Sequence, residues 1–239
     1  MEPTAVTAPE RRNTPRQYAV LAVLVLGFGY YLIANGSLQR NQLIYFAVLI
    51  PSIILHEVSH GAVALVFGDT TAKRAGRLTL NPIKHIDPFW TILVPAMMIF
   101  TTGQAFGMAK PVPVNPNGMR NPRNHGLLTS LAGPATNLVL AALAYVVFRT
   151  VQPQGEMAEV IALFGVANVV LAVFNMLPIP PLDGSALVER LLPRRMLVPY
   201  LRVRQYSFFL FIGLFFVAGD LLGKVLDPAI ELWFRLLLA

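Results

Sequence analysis

The chain has no cysteine in its 239 residues. Disulfides, thiolate metal ligands and cysteine-nucleophile chemistry are therefore excluded, and any metal must be held by His, Asp or Glu. The redox compartment is left undetermined. Charge is also scarce, 13% of residues against 55% hydrophobic, and the mean hydropathy is +0.59. That balance is too apolar for an ordinary soluble domain and indicates a polytopic membrane protein. There is no internal repeat, no low-complexity run and no glycine-rich phosphate loop. Acidic residues number 12 against 19 basic ones, for a net charge of +7. The basic residues lie in short loops between apolar segments rather than along one stripe, which argues against a nucleic-acid partner. They report membrane topology, with anionic lipid headgroups as the counter-charge.

Against this background, His56-Glu57-Val58-Ser59-His60 stands inside a run, residues 42–67, long and apolar enough to span a bilayer. On a helix, positions i and i+4 lie about 40° apart around the axis and about 6 Å apart along it, so the two imidazoles share one face. This is half of a zinc site, and Glu57 has the placement of a general base in metal-assisted hydrolysis. The alternative is a chance pentad or a pair of satisfied core histidines. The apolar flanks weigh against it, because ionisable groups in a membrane cost several kcal/mol each and need partners there.

Residues 1–17 carry three prolines and three arginines with little to bury, and read as a disordered cytoplasmic tail. Residues 18–34 end without a signal-cleavage pattern and read as a retained first span. Residues 42–67 form the second span, with Pro51 loosening the helix ahead of His56. In the cytoplasmic loop 68–88, Arg77-Leu78-Thr79-Leu80 alternates like a short strand. Residues 89–102 number only about 14, fewer than the roughly 20 that a crossing helix needs, and their positive flanks favour a segment that enters and returns. Residues 106–116 cannot be helical. They read either as a linker or as a strand edge that pairs with an unwound substrate.

Residues 125–148 are a third full span, with small residues that permit close packing. Asn137 within it needs a partner, as glue between helices in the favoured reading or as a weaker candidate for substrate contact. Residues 150–159 contain Glu156 and Glu159 with no Lys or Arg, which suits an outer loop. The span 160–177 then runs inward into three prolines followed by Asp183 and Gly184. Asp183 could be an N-cap, or the third ligand that a catalytic zinc needs beside two histidines and an open position. Asn175 either caps its own broken helix or holds unwound substrate backbone, since a carboxamide offers a donor and an acceptor together. Residues 183–205 are cytoplasmic and 206–222 a last span. Residues 225–239 form an amphipathic tail with Trp233 as an interfacial anchor.

The expected fold is an all-α polytopic membrane protein with about five to six transmembrane helices. A short re-entrant or extended segment separates the second and third full spans. The expected organisation is a tail at 1–17, a membrane-embedded unit at 18–222 and a surface tail at 223–239.

Three features in order, His56-Glu57-Val58-Ser59-His60, Gly133-Pro134-x-x-Asn137 and Asn175-x-x-Pro178-x-x-Pro181-Leu182-Asp183-Gly184, resemble the site-2 protease family of intramembrane zinc metalloproteases. The resemblance covers roughly residues 42–190. It implies one zinc per chain on His56, His60 and Asp183, Glu57 as base and proton shuttle, and Asn175 near the scissile peptide. It also implies cleavage in or beside a transmembrane segment of a membrane-protein substrate, under a regulatory membrane partner, in the cell membrane with the N-terminus and active-site side cytoplasmic. Many relatives carry a PDZ or CBS domain, and nothing in this sequence fits either. A membrane metal transporter and a catalytically inactive scaffold are the rivals; neither needs Glu57 together with all three ligands.

Overall fold

The computed structural model describes residues 27, 30, 40–85, 110–207, 209, 213 and 219–239. The chain divides into two units, 1–40 and 41–239, and the architecture below is that of the second. The expected tail 1–17, most of the expected first span 18–34, the segment 89–102 and most of the span 206–222 lie outside the described residues. Seven α-helices are described: α1 (Arg40–Val66), α2 (Thr71–Arg74), α3 (Pro122–Val151), α4 (Gly155–Asn175), α5 (Ser185–Leu191), α6 (Arg194–Arg204) and α7 (Gly219–Leu238). No strand occurs among the described residues. Helices α1, α3 and α4 are each long and apolar enough to cross a membrane. The outer face of α3 exposes Leu138, Val139, Leu143, Val146 and Val147, apolar where a soluble helix would be charged.

The helix ends follow from local chemistry. Helix α1 closes in a Schellman motif: Gly68, at φ +109°, donates to the Leu65 carbonyl, and Asp69 donates to Ala64. The Arg120 side chain adds a bond to the Val66 carbonyl, satisfying a terminal acceptor that the helix leaves open. Helix α3 opens with Pro122 at its first turn and the Asn121 side chain accepting from the Asn124 N–H. Only residues 152–154 separate α3 from α4, so the two pack as antiparallel neighbours. The outer loop expected at 150–159 is thus shorter: Glu156 lies in the first turn of α4, where a negative side chain suits the positive helix end.

Two further expectations are corrected. Arg77–Leu80 is no strand, because side chains rather than a ladder hold it. Arg77 donates to the Lys110 carbonyl at 2.7 Å and His85 bonds the Thr79 carbonyl at 2.8 Å. Trp233 is no interfacial anchor but is 4% exposed. It packs with Ala141, Ala144, Val166 and Leu237 between α3, α4 and α7, lies over Gly165, where any Cβ would collide with its ring, and donates its indole N–H to Ala162.

Residues 110–115 run without regular structure, and three of their N–H groups bond to the chain itself. Lys110 N–H bonds the His85 carbonyl, Val112 N–H bonds Glu57 at 2.8 Å and Asn115 N–H bonds Asp69 at 2.6 Å. Pro111 and Pro113 have no N–H to offer. Of the segment expected as a linker or strand edge, 106–116, residues 106–109 lie outside the described residues, and in the remainder the N–H groups of Lys110, Val112 and Asn115 are bonded within the chain. Burial raises the pKa of Asp69, but bonds from Thr71 and Asn115 outweigh it and hold the carboxyl below its usual range, so Asp69 anchors this segment as a charged acceptor.

Candidate metal centre

Pro51 lies within α1 and removes one intrahelical N–H, and about two to three turns before the end of that helix His56 and His60 project from the same face. Their rings sit 4.7 Å apart at 84°, and both residues are buried. Asp183 reaches them from the far side of the chain. After α4 ends, the Gly184 N–H bonds back to the Asn175 carbonyl at 2.7 Å, folding the proline-rich segment onto the helix end. Only glycine fits at 184, because a Cβ there would lie 2.2 Å from the Met176 carbonyl oxygen. That close return delivers Asp183 Oδ2 to 3.1 Å from His56 Nε2 and 3.3 Å from His60 Nε2. Asp183 does not cap α5, whose N-terminus has no side-chain cap.

The three donors lie within 4.8 Å of one another. The opposite nitrogen of each imidazole faces an oxygen: His60 Nδ1 the Thr129 carbonyl at 2.7 Å, and His56 Nδ1 the side-chain oxygen of Asn137. A carbonyl oxygen can only accept, so each Nδ1 carries a hydrogen, and in the neutral ring each Nε2 then presents its lone pair to Asp183. Three acceptors turned toward one another repel unless a positive charge, a proton or a metal ion, joins them, and two imidazoles with one carboxylate are a donor set that suits zinc. The backing of each ring by an oxygen is also what a metal-ligating histidine ordinarily has. The residues present therefore fit a zinc ion.

Gly133 completes the cradle. A Cβ at this position would sit 2.5 Å from His56 Nε2 and 2.5 Å from His60 Nε2, so the small residue that lets α3 approach α1 also keeps the ligand face open. Glu57, half-buried, has Oε2 held by the Val112 N–H. Asn137 is fully buried behind His56 and donates to Asn168 Oδ1 at 2.8 Å, which places it among the supports of the site rather than on its open side. Asn175 turns its amide group back to the Leu171 carbonyl at 2.9 Å. Sequence reasoning did not single out Thr129, Ser52, Asn168 or the Val112 N–H. Asn168 had a signal, a carboxamide in the middle of an apolar helix; the backbone groups had none.

Gly133→Ala is predicted to weaken zinc retention by about tenfold or more while leaving the helical content intact, because the rings it would meet are pinned from behind and cannot swing away. Competition with a chelator checks this, and unchanged affinity would show that the Nε2 face does not bind the metal.

The model for "Peptidase family M50" matches residues 152–218, which include Asn175 and Asp183. The chain is 42% identical over 178 residues to "Putative zinc metalloprotease YwhC" of Bacillus subtilis, spanning 70% of this chain and 77% of that protein. It is 30% identical over 239 aligned residues to "Putative zinc metalloprotease Rip2" of Mycolicibacterium smegmatis, spanning 93% and 84%. No solved structure matches it. With relatives aligned over most of both chains, and with the histidine pair and Asp183 brought to one point, the chain belongs to peptidase family M50.

Proposed function

We propose that the protein is an intramembrane zinc metalloprotease of the site-2 type, which hydrolyses a peptide bond in or near a transmembrane segment of a membrane-protein substrate. The observation that carries the reading is the convergence of His56, His60 and Asp183 beside Glu57 on a helix apolar enough to cross a membrane. The names of the two relatives support metalloprotease chemistry with zinc. A zinc ion held by His56, His60 and Asp183 would supply Lewis acidity toward a peptide carbonyl and its attacking water.

The chain's own residues do the rest. Glu57 takes a proton from the attacking water and delivers one to the leaving amine. With Oε2 fixed by the Val112 N–H, the other carboxylate oxygen is the one that carries the proton. A scissile peptide must first leave its helix, and each backbone group it unpairs in lipid costs several kcal/mol. Asn175 stands at the end of α4 where the prolines begin. With its Nδ2 on Leu171, its Oδ1 is the atom suited to accept a substrate N–H.

Basic loops at 1–17, 68–88, 103–124 and 183–205, against the acidic 150–159, support a cell-membrane orientation with the N-terminus and the catalytic half cytoplasmic. A regulatory membrane partner would control access. A metal transporter has no use for Glu57, and an inactive scaffold usually loses a ligand or the base; this chain keeps all four groups.

Glu57→Gln is predicted to retain zinc and fold while cleavage of a transmembrane substrate falls by about 10² to 10⁴-fold. In the same assay Asn175→Ala should lose cleavage of a helical substrate at wild-type zinc content. Normal cutting by Glu57→Gln with clean metal content would defeat the mechanism, and normal cutting by Asn175→Ala would remove that residue from substrate binding. For orientation, a single cysteine at Gln154 in this cysteine-free chain should react only with reagent on the outer side. Labelling from the cytoplasm alone would invert the topology.

A further inference from the structure

Behind the metal centre a line of buried side chains crosses three helices. Asn137 on α3, Asn168 on α4 and Ser52 on α1 are each 0% exposed. Asn137 Nδ2 donates to Asn168 Oδ1 at 2.8 Å. Asn168 Nδ2 donates to Ser52 Oγ at 2.9 Å and to the Phe164 carbonyl at 2.9 Å. The Ser52 hydroxyl donates to the Val48 carbonyl at 2.8 Å. At the other end, Asn137 Oδ1 meets His56 Nδ1.

The direction of this line is not free. A carboxamide can in principle sit either way round, and an imidazole can carry its hydrogen on either nitrogen. The Phe164 carbonyl, however, can only accept, so the Asn168 atom against it must be the amide nitrogen. Asn168 then turns its oxygen to Asn137, which must answer with its own nitrogen. Asn137 in turn presents its oxygen to His56. His56 is left with its hydrogen on Nδ1 and a lone pair on Nε2, the form in which an imidazole binds a metal. Reversing Asn137 would set two N–H groups against each other or two oxygens face to face, each a buried mismatch costing roughly 1–3 kcal/mol.

We propose that Asn168 is a positioning residue for the metal centre: anchored by the Phe164 carbonyl, it fixes the orientation of Asn137 and through it the metal-binding tautomer of His56. Ser52 accepts the second hydrogen of the Asn168 amide and closes the line on α1, four residues before His56. Asn168 touches neither ligand nor substrate, and its effect is carried entirely by hydrogen-bond polarity. The inference rests on the reading of His56, His60 and Asp183 as zinc ligands.

The test is a double-mutant cycle read by zinc affinity, with the visible absorption of the cobalt-substituted protein as a second signal. Asn168→Leu keeps the approximate volume but removes the acceptor that orients Asn137. Zinc affinity should fall by about tenfold and the cobalt bands should shift or broaden. In an Asn137→Asp background the same change should cause no loss, since a carboxylate is an acceptor at both oxygens and cannot present the wrong polarity to His56. If Asn168 serves only helix packing, the loss will be the same in both backgrounds and the proposal is overturned. It is equally overturned by a change under about twofold in the wild-type background, or if Asn168→Leu and the smaller Asn168→Ala both fail to fold in either background. Wild-type protein that binds no zinc through His56 would instead remove the metalloprotease reading itself.

Discussion

In an apolar interior, two imidazole lone pairs and a carboxylate oxygen cannot face one another at 3.1 and 3.3 Å without a positive charge among them. Everything around this point bears on that constraint. The hydrogens of both rings are drawn to the rear, by the Thr129 carbonyl and by Asn137, so the repulsion is concentrated on the side where a cation would sit. A divalent ion with Asp183 and Glu57 close by leaves the locality near neutral, which is what a low-dielectric setting favours. The same constraint explains why the site lies where α1 gives both histidines, α3 backs both rings and the loop after α4 returns Asp183 to them.

Holding the groups there depends on residues with no chemistry of their own. Gly133 lets α3 approach closely enough for Thr129 and Asn137 to reach the rings. Gly184 lets the chain after α4 fold back onto the Met176 carbonyl and bring Asp183 across. Farther along α4, Gly165 admits the Trp233 ring and locks α7 against the bundle. Glu57 is tied to residues 110–115 through Val112. Those residues are tied in turn to the end of α1 through Asp69, so the base and the ligands share one frame.

Much of the site was legible in the sequence because it obeys short-range rules. The i, i+4 histidines follow from helix geometry, and the need for a third ligand in a cysteine-free chain drew attention to Asp183. The features that escaped are those fixed by distant partners. Alternation in Arg77–Leu80 imitated a strand, but the segment is held by its own Arg77 guanidinium on the Lys110 carbonyl and by the His85 imidazole on the Thr79 carbonyl. Trp233 in an amphipathic helix is equally consistent with a membrane surface, and the glycine that receives it is 68 positions away on another helix. Asn168 differed from its neighbours only in being polar, and its meaning depends on the direction of hydrogen bonds that no spacing rule encodes.

The central claim, that His56, His60 and Asp183 together hold one zinc ion, is tested most directly by X-ray absorption at the zinc edge of the purified, zinc-loaded protein. The account predicts two imidazole nitrogens with one or two oxygens at about 2.0–2.2 Å and no sulfur. A spectrum with solvent-like oxygen coordination and no imidazole scattering, or with a single imidazole, would contradict it.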